Sequence, residues 1–121
     1  MFLDVFAGVA RVTRRMVRDG IHGCLPIDIK HNASHNLLKK AVVLTLIGWI
    51  FSGEVRGLII AFPCTTWSQA RYPKLRYRSC IYGRTDLTAR EQQLVADGNQ
   101  FLAVTRRLIR AALKIGAARH Y

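Results

Sequence analysis

The first residues of the chain combine a short apolar run, a small-residue turn and the start of an amphipathic segment. Phe2 to Phe6 is β-prone and mostly apolar, as expected for a strand that is buried on both faces. Ala7 and Gly8 allow a sharp turn, because glycine tolerates backbone angles that a Cβ forbids. Val9 through Asp19 then follows with helical spacing. A strand, a tight turn and a helix in this order can present backbone N–H groups to a nucleotide-like ligand.

Length, charge and cysteine content limit the classes of protein to consider. The 121 residues predict one domain, 1–121, and the 50% apolar content excludes wholesale disorder. The net charge of +12 favours a polyanionic partner, nucleic acid first and an anionic membrane surface second. The alternative is a basic fragment whose acidic partner segment lies elsewhere. Three cysteines without framework spacing predict reduced thiols and an intracellular protein. The apolar run Ala41–Phe51 is too short to cross a membrane, and a buried helix is predicted over Ala41–Ser52.

The segment after the first strand predicts a helix and then a second strand. Val12, Met16 and Val17 are expected to form the apolar face of the helix, which should end at Asp19 with Gly20 in the C′ position. The second strand is predicted over Cys24–Ile29.

Asp28 stands near the end of this second strand, about 20 residues after Gly8, the spacing at which an acid in a nucleotide-binding βαβ unit accepts hydrogen bonds from ribose. The alternative role is to cap the next turn. The following segment, Ser34 to Leu38, is expected to be a one-turn strand or a loop. A metal site built from Cys24, His31 and His35 is disfavoured, because no second ligand pair with known spacing accompanies them.

A second chemical signal follows the run Gly57–Phe62, which is the clearest buried strand in the sequence. Pro63 restricts the backbone directly after it, so that Cys64 is presented at the carboxyl end of the sheet, where ligands bind in open parallel sheets. A thiolate in that place can act as a nucleophile. The alternative is an inert buried thiol.

The loop from residue 69 to 86 interleaves cations with aromatic rings. Such a pattern suits nucleic acid, because cations neutralise phosphates and rings stack on unpaired bases, although a solvated loop is equally compatible with it. The candidate nucleic-acid-binding residues are Arg71, Tyr72, Lys74, Arg76, Tyr77, Arg78 and Arg84. After it, Thr88 and Glu91 form a capping box that starts a last helix, with an expected end at Gly116. An apolar stripe of this helix is predicted to pack on the sheet, and its members are Leu94, Gly98, Phe101, Leu102, Thr105, Leu108, Ile109 and Ala112.

Taken together, these motifs resemble the N-terminal half of DNA cytosine-5 methyltransferases, and more closely the divergent phage and mobile-element type with a Pro-Cys-Thr-Thr-Trp-Ser segment. The resemblance covers residues 2–121 and implies an α/β, Rossmann-like fold with a mostly parallel sheet, containing strands one to four and their helices. It implies S-adenosylmethionine (AdoMet) as cofactor and Cys64 as the nucleophile. The implied cofactor-binding residues are Phe6, Ala7, Gly8, Val9, Ala10, Asp28, Asn36 and Pro63.

The sequence departs from the family at several positions. Ala10 stands where the D-x-F-x-G-x-G loop has its last glycine, Asn36 replaces an adenine-contacting Asp, and Phe62 replaces a second proline before Cys64. No candidate is found for the strand with a Glu-Asn pair that grips the target base. The resemblance therefore implies a DNA cytosine-5 methyltransferase domain that is incomplete and associated with DNA inside the cell. The alternatives are an amino-group DNA methyltransferase and an inactive basic fragment that binds nucleic acid.

Overall fold

The computed structural model describes residues 1–21, 23–29, 31–61, 75–76 and 79–119. Within them the chain forms an α/β structure with three parallel strands, β1 (Phe2–Val5), β2 (Cys24–Ile27) and β3 (Gly57–Ile60), in the order β2-β1-β3. The helices are α1 (Arg11–Arg18), α2 (Lys40–Phe51) and α3 (Ala89–Arg119). Val5 is in register with both Ile27 and Ile60, so the carboxyl ends of all three strands meet at one edge of the sheet.

The strands are shorter than the sequence predicted, and the reason is local backbone geometry. Phe6 has a left-handed φ of 57°, which ends β1 at Val5 rather than at Phe6. The second strand ends at Ile27 rather than Ile29. The predicted one-turn strand or loop at 34–38 is wrong in its strand form. A 3-10 helix, Ala33–His35, lies there, and the Asn32 side chain caps it by accepting the Ser34 N–H at 2.9 Å.

The two sides of the sheet are packed by different chemistry. The crossover from β1 to β2 and the crossover from β2 to β3 run in opposite directions, so right-handed connections put α1 on one face and α2 on the other. Helix α3 packs against α2. Leu3 and Val5 belong to an apolar core that α2 and α3 cover, with Leu46 and Leu108 among its members. On strand β1 the side chains alternate, so Asp4 points to the opposite face and is only 2% exposed.

Helix α1 does not bury the apolar face that its sequence predicted. Val12 and Val17 are 44% and 47% exposed, whereas Thr13 is buried. The Thr13 hydroxyl donates a hydrogen bond of 2.8 Å to the buried Asp4 carboxylate, and this polar contact fixes which side of the helix faces the sheet. The predicted end of the helix is confirmed: Gly20 N–H reaches Val17 O and Ile21 N–H reaches Met16 O, which is a Schellman motif.

The two remaining helices follow their predictions in part. Helix α2 forms where a buried helix was expected, and it buries Val43, Leu46 and Ile50 but leaves its opposite side exposed. The capping box that starts α3 is confirmed, because Glu91 N–H donates to Thr88 Oγ1 at 3.2 Å and Thr88 N–H donates to the Glu91 carboxylate at 3.1 Å.

The predicted stripe and end of α3 need correction. Leu108 of the predicted stripe is buried, as expected, but Leu94 and Ile109 are exposed. Val95 and Val104, which were not in the predicted stripe, are buried. Gly116 does not end the helix, which continues to Arg119.

Candidate functional site

The turn after β1 is built from three left-handed residues in alternation. Phe6, Gly8 and Ala10 have φ values of 57°, 57° and 60°. Gly8 adopts this conformation without steric cost, whereas Phe6 and Ala10 each bear a strain on the order of 1–2 kcal/mol. The turn is closed by a hydrogen bond of 2.9 Å from Ala10 N–H to Ala7 O. Strained backbone of this kind is concentrated at ligand sites in proteins.

The left-handed backbone of Ala10 limits which residues fit at this position. It is the residue that precedes α1 and is only 5% exposed. A glycine would adopt φ of 60° freely, so a glycine would also fit this position. Alanine has the smallest side chain that bears the strain, so the turn forms with alanine here.

Asp28 and Gly8 are brought into direct contact by the parallel pairing of β1 and β2. The Gly8 N–H donates a hydrogen bond of 2.9 Å to Asp28 Oδ2. A second link, from Ala7 N–H to Ile27 O at 3.2 Å, continues the strand pairing into the turn. The glycine and the acid therefore share one point at the carboxyl edge of the sheet. A carboxylate accepts about four hydrogen bonds, so the bond from Gly8 is compatible with a further one from a ligand hydroxyl.

A cavity of about 350 Å³ opens beside this contact. Three of the cofactor-binding residues predicted from the sequence, Phe6, Asp28 and Asn36, line it together. Ala7, Gly8, Val9 and Ala10 do not line it, although Gly8 is one hydrogen bond away through Asp28. The remaining lining residues are Ile29, His35, Leu37, Leu38, Asp97 and Phe101.

The cavity is lined by both apolar rings and carboxylates. The rings of Phe6 and Phe101 pack edge to face with centroids 5.3 Å apart, and Leu37 adds to the apolar lining. Asp28 and Asp97 contribute carboxylates to the same lining. A flat ring with hydroxyl, amino or cationic groups would match this combination.

Three polar side chains around the cavity differ in how they are held. Asn36 Oδ1 accepts the Leu38 N–H at 3.0 Å, which directs the rest of the Asn36 amide. Asp97 Oδ1 accepts a bond of 2.8 Å from Gln93 Nε2, one helical turn earlier. His35 Nδ1 is buried without a hydrogen-bond partner among the residues that the structure describes. Such an atom is costly to leave unpaired.

Sequence reasoning missed the contribution of α3 to this site. Phe101 was placed in an apolar stripe that packs on the sheet, and Asp97 was given no role. Both residues lie on the first half of α3 and line the cavity. The only signal in the sequence is that an acid and an aromatic ring stand four residues apart, on one face of the helix.

A buried polar network lies beneath the turn. Besides accepting from Thr13, Asp4 is linked through it to Cys24, whose Sγ is 3.3 Å from Thr13 Oγ1. This network joins β1, α1 and β2 next to the residues that form the turn. It holds α1 against the sheet by hydrogen bonds, since the exposed valines of α1 do not.

The remaining predicted site residues fall into two groups. Those outside the described residues are Cys64, Pro63, Arg71, Tyr72, Lys74, Tyr77 and Arg78. Arg76 and Arg84 are described, and both have partners within the protein. The Arg76 guanidinium donates to Ile81 O at 2.8 Å, to Asn99 Oδ1 at 2.6 Å and to Val95 O at 3.2 Å, and its burial lowers its pKa.

Arg84 pairs with an acid instead of standing open to a phosphate. Its Nε donates to Asp86 Oδ1 at 2.9 Å, and a second bond from its Nη2 makes the pair bidentate. The hydrogen bond from Arg84 lowers the pKa of the Asp86 carboxyl. These contacts hold Arg76 and the segment 79–86 in place. Binding of nucleic acid by the loop therefore stays a prediction, and it depends on the cations that lie outside the described residues.

Neither further features of the described residues nor similarity to known proteins indicates the chemistry of the site. Within the part of the chain that the structure describes, no helix has the length and apolar character needed to span a membrane. No three or more His, Cys, Asp or Glu residues among those described are grouped as metal ligands. No protein-family model matches the chain, and neither a curated protein nor a solved structure is significantly similar to it.

Proposed function

We propose that this chain is the AdoMet-binding half of a DNA methyltransferase of the cytosine-5 type, with a Rossmann-like fold. The observation that carries the proposal is the cavity at the carboxyl edge of the sheet. Phe6, Asp28 and Asn36 line it together, and the Gly8 N–H donates a hydrogen bond to Asp28 beside it. The sequence motif and the tertiary arrangement thus point to the same place in the fold, which is where open parallel sheets bind nucleotides.

The cofactor would use both the apolar and the polar residues of the cavity. Asp28 would accept hydrogen bonds from the ribose hydroxyls, as an acid after the second strand does in nucleotide-binding units. Phe6 and Phe101, which contact each other, would form the apolar surface on which the adenine ring packs, and Asn36 lines the same cavity. AdoMet, when bound, supplies an electrophilic methyl group.

The methyl-accepting step would depend on Cys64. Its thiolate would add to C6 of a cytosine taken out of the base stack, which makes C5 nucleophilic enough to accept the methyl group. Loss of the C5 proton and elimination of the sulfur would then restore both the aromatic ring and the thiolate. The resemblance of the Pro63-Cys64 segment to the family's catalytic motif supports this assignment.

Calorimetric titration of AdoMet into the folded chain tests the cofactor site. We expect binding by the wild type and at least a roughly tenfold weaker affinity for Asp28→Ala and Asp28→Asn, since removal of a charge-assisted hydrogen bond costs about 1.5–3 kcal/mol. Asp19→Ala is the matched control, because Asp19 pairs with Arg15 on the exposed side of α1. Absence of binding to a folded wild type, or equal affinity of the Asp28 variants, would refute the assignment.

A mechanism-based trap tests the nucleophile. The trap uses a longer polypeptide in which this chain is followed by the strand with the Glu-Asn pair. With AdoMet present, an oligonucleotide containing 5-fluorocytosine should form a covalent adduct with that polypeptide, because fluorine blocks the elimination. The adduct should be absent in Cys64→Ser and kept in Cys80→Ser. An adduct that survives Cys64→Ser would show that another group is the nucleophile.

A second candidate is a protein that binds nucleic acid without catalysis, and the net charge of +12 favours it. Because Arg76 has protein partners, the loop is tested with Arg71, Lys74 and Arg78 replaced by alanine. We expect the slope of log affinity against log salt to fall by about 0.9 for each duplex phosphate that the protein no longer neutralises. An unchanged slope would mean that the loop is only solvated. Binding of DNA without AdoMet binding would favour this second candidate.

A further inference from the structure

A groove runs between α2 and α3, and none of the residues predicted to form a site lines it. Two adjoining cavities of about 260 and 240 Å³ make it up, and Arg107 lines both. We call it the α2–α3 groove. Its second cavity is lined by Ile47, Phe51, Arg107, Arg110, Ala111 and Lys114.

The floor of the α2–α3 groove is apolar and incompletely covered. Ile47 and Ala111 form its base, and the Phe51 ring is 47% exposed at one end. Leu44, also 47% exposed, does not line the groove but lies on the same side of α2, because it precedes Phe51 by two helical turns. Large apolar side chains that lie together and face water are typical of protein-binding surfaces.

The rim of the groove is positively charged on both sides. Lys40 stands on the α2 side, and Arg107, Arg110 and Lys114 follow one another along α3. Helix α2 contains no acid, and α3 has none after Asp97. A low-dielectric groove that is lined by positive charges attracts negatively charged partners.

We propose that the α2–α3 groove binds an acidic amphipathic helix of a partner protein. Two parallel ridges with an apolar floor match a helix that carries apolar side chains at i, i+3 or i+4, and i+7, with acids beside them. A nucleic-acid backbone would meet the cations but would leave the floor around Phe51 unfilled. A second copy of a chain with net charge +12 would be repelled.

A display selection on the folded chain tests this proposal. The library encodes helical peptides in which the apolar stripe is kept and the flanking positions vary among acidic, neutral and basic residues. The selection should enrich peptides with acidic flanks. Enrichment of no helix, or of basic and neutral flanks as often as acidic ones, would overturn the proposal.

Variants then locate the enriched peptides on the protein. Fluorescence anisotropy should show roughly tenfold or greater weakening for the double variant Arg107→Glu, Arg110→Glu and for Phe51→Ala, as expected when side chains at the centre of an interface are replaced. Arg106→Glu, an exposed change on the same helix outside the groove, should weaken binding by less than about threefold. Circular dichroism confirms that each variant is folded. Equal weakening by Arg106→Glu and by the groove variants would overturn the placement of the peptide.

Two control probes decide between classes of partner. Duplex DNA and anionic phosphatidylserine vesicles are titrated against the wild type and the Arg107→Glu, Arg110→Glu variant. We expect this variant to weaken DNA binding no more than the double variant Arg90→Glu, Arg106→Glu does, which makes the same change of net charge at exposed positions outside the groove. Loss of DNA or vesicle binding that is specific to the groove variant, with peptide binding unchanged, would overturn the proposal. AdoMet affinity should be the same in the groove variant, because neither of its altered residues lines the cofactor cavity.

Discussion

The turn after β1 and the segment that precedes α3 are two regions where the sequence predicted ligand-binding residues, and they are held in different ways. The turn is shaped by its own backbone, through left-handed residues at Phe6, Gly8 and Ala10. The later segment is fixed by its neighbours on α3: Arg76 bonds to Asn99 and Val95 O, and Gly83 packs against the Val95 side chain.

The difference shows when the type of a residue indicates that it binds a ligand and when it does not. In the turn, the backbone carries the structure, and the Phe6 side chain lines a cavity together with Asp28. In the later segment, the arginine side chains themselves carry the structure, and the cations of Arg76 and Arg84 are already engaged. A count of cations therefore overestimates the number of phosphates that such a loop can bind.

The largest effect is expected where the later segment meets α3. A Cβ at Gly83 would lie 2.6 Å from Val95 Cγ1, and its φ of 124° is outside the range of L side chains. Gly83→Ala should destabilise the protein by about 3 kcal/mol from strain and overpacking together. Gly48→Ala in α2 is the control, because nothing lies within 4 Å of the added Cβ. It should stabilise by roughly 0.5–1 kcal/mol. Urea unfolding measures both, and equal effects would contradict tight packing at Gly83.

A bulkier residue in the turn tests whether backbone strain shapes the first region. Ala10→Val should cost roughly 2–3 kcal/mol, because a β-branched residue is an outlier at φ of 60° and the site is buried. Ala10→Gly should change stability by less than about 1 kcal/mol, since relief of strain and loss of a buried methyl are similar in size. Chemical denaturation distinguishes them. If valine were as well tolerated as glycine, the left-handed geometry of the turn would be wrong.

Loss of the hydrogen bond between Thr13 and Asp4 should destabilise the protein less than the two changes above, but by a measurable amount. Thr13→Val removes the hydroxyl that donates to the buried Asp4 carboxylate, and a cost of about 2 kcal/mol is expected. Thr45→Val removes a comparable bond to Ala41 O on the exposed side of α2 and should cost less than about 0.5 kcal/mol. Thermal unfolding at pH 7 compares the two. A Thr13→Val protein as stable as Thr45→Val would mean that the network contributes nothing.

The smallest effect belongs to the exposed Arg84–Asp86 pair. Because the hydrogen bond from Arg84 lowers the pKa of Asp86, the pair's contribution to stability is present above the unfolded-state pKa of Asp86. It is lost as pH falls through the lower pKa of the folded state. Arg84→Gln should raise the pKa of Asp86 in an NMR titration, whereas Arg90→Gln should not change it. An unchanged pKa in Arg84→Gln would show that the pair does not form in solution.

Those features that depend on neighbouring residues could be predicted from the sequence. The capping box of Thr88 and Glu91 and the Schellman motif at Gly20 need only a few adjacent residues. The pairing of Gly8 with Asp28 follows from a strand, a turn and a crossover of ordinary length.

Features set by distant packing could not be predicted. The orientation of α1 depends on the carboxylate of Asp4, which overrides the valines that make the helix look apolar on another side. Likewise, Phe101 reaches Phe6 only because α3 returns across the sheet. Neither interaction leaves a periodic signal in the sequence, so hydrophobic spacing alone selects the wrong face in α1 and part of the wrong stripe in α3.

The central claim is that the turn and Asp28 form a cofactor site at the carboxyl edge of the sheet. The direct measurement is an amide ¹H–¹⁵N spectrum of the folded chain during titration with AdoMet. The Gly8 amide donates to Asp28, so its resonance should shift with those of Asn36 and Phe101. The resonances of Gly48, near the end of α2, and of Gly53, just after it, should not move, because neither residue lines the cavity. Unchanged resonances at Gly8, Asn36 and Phe101 under saturating AdoMet would contradict the account.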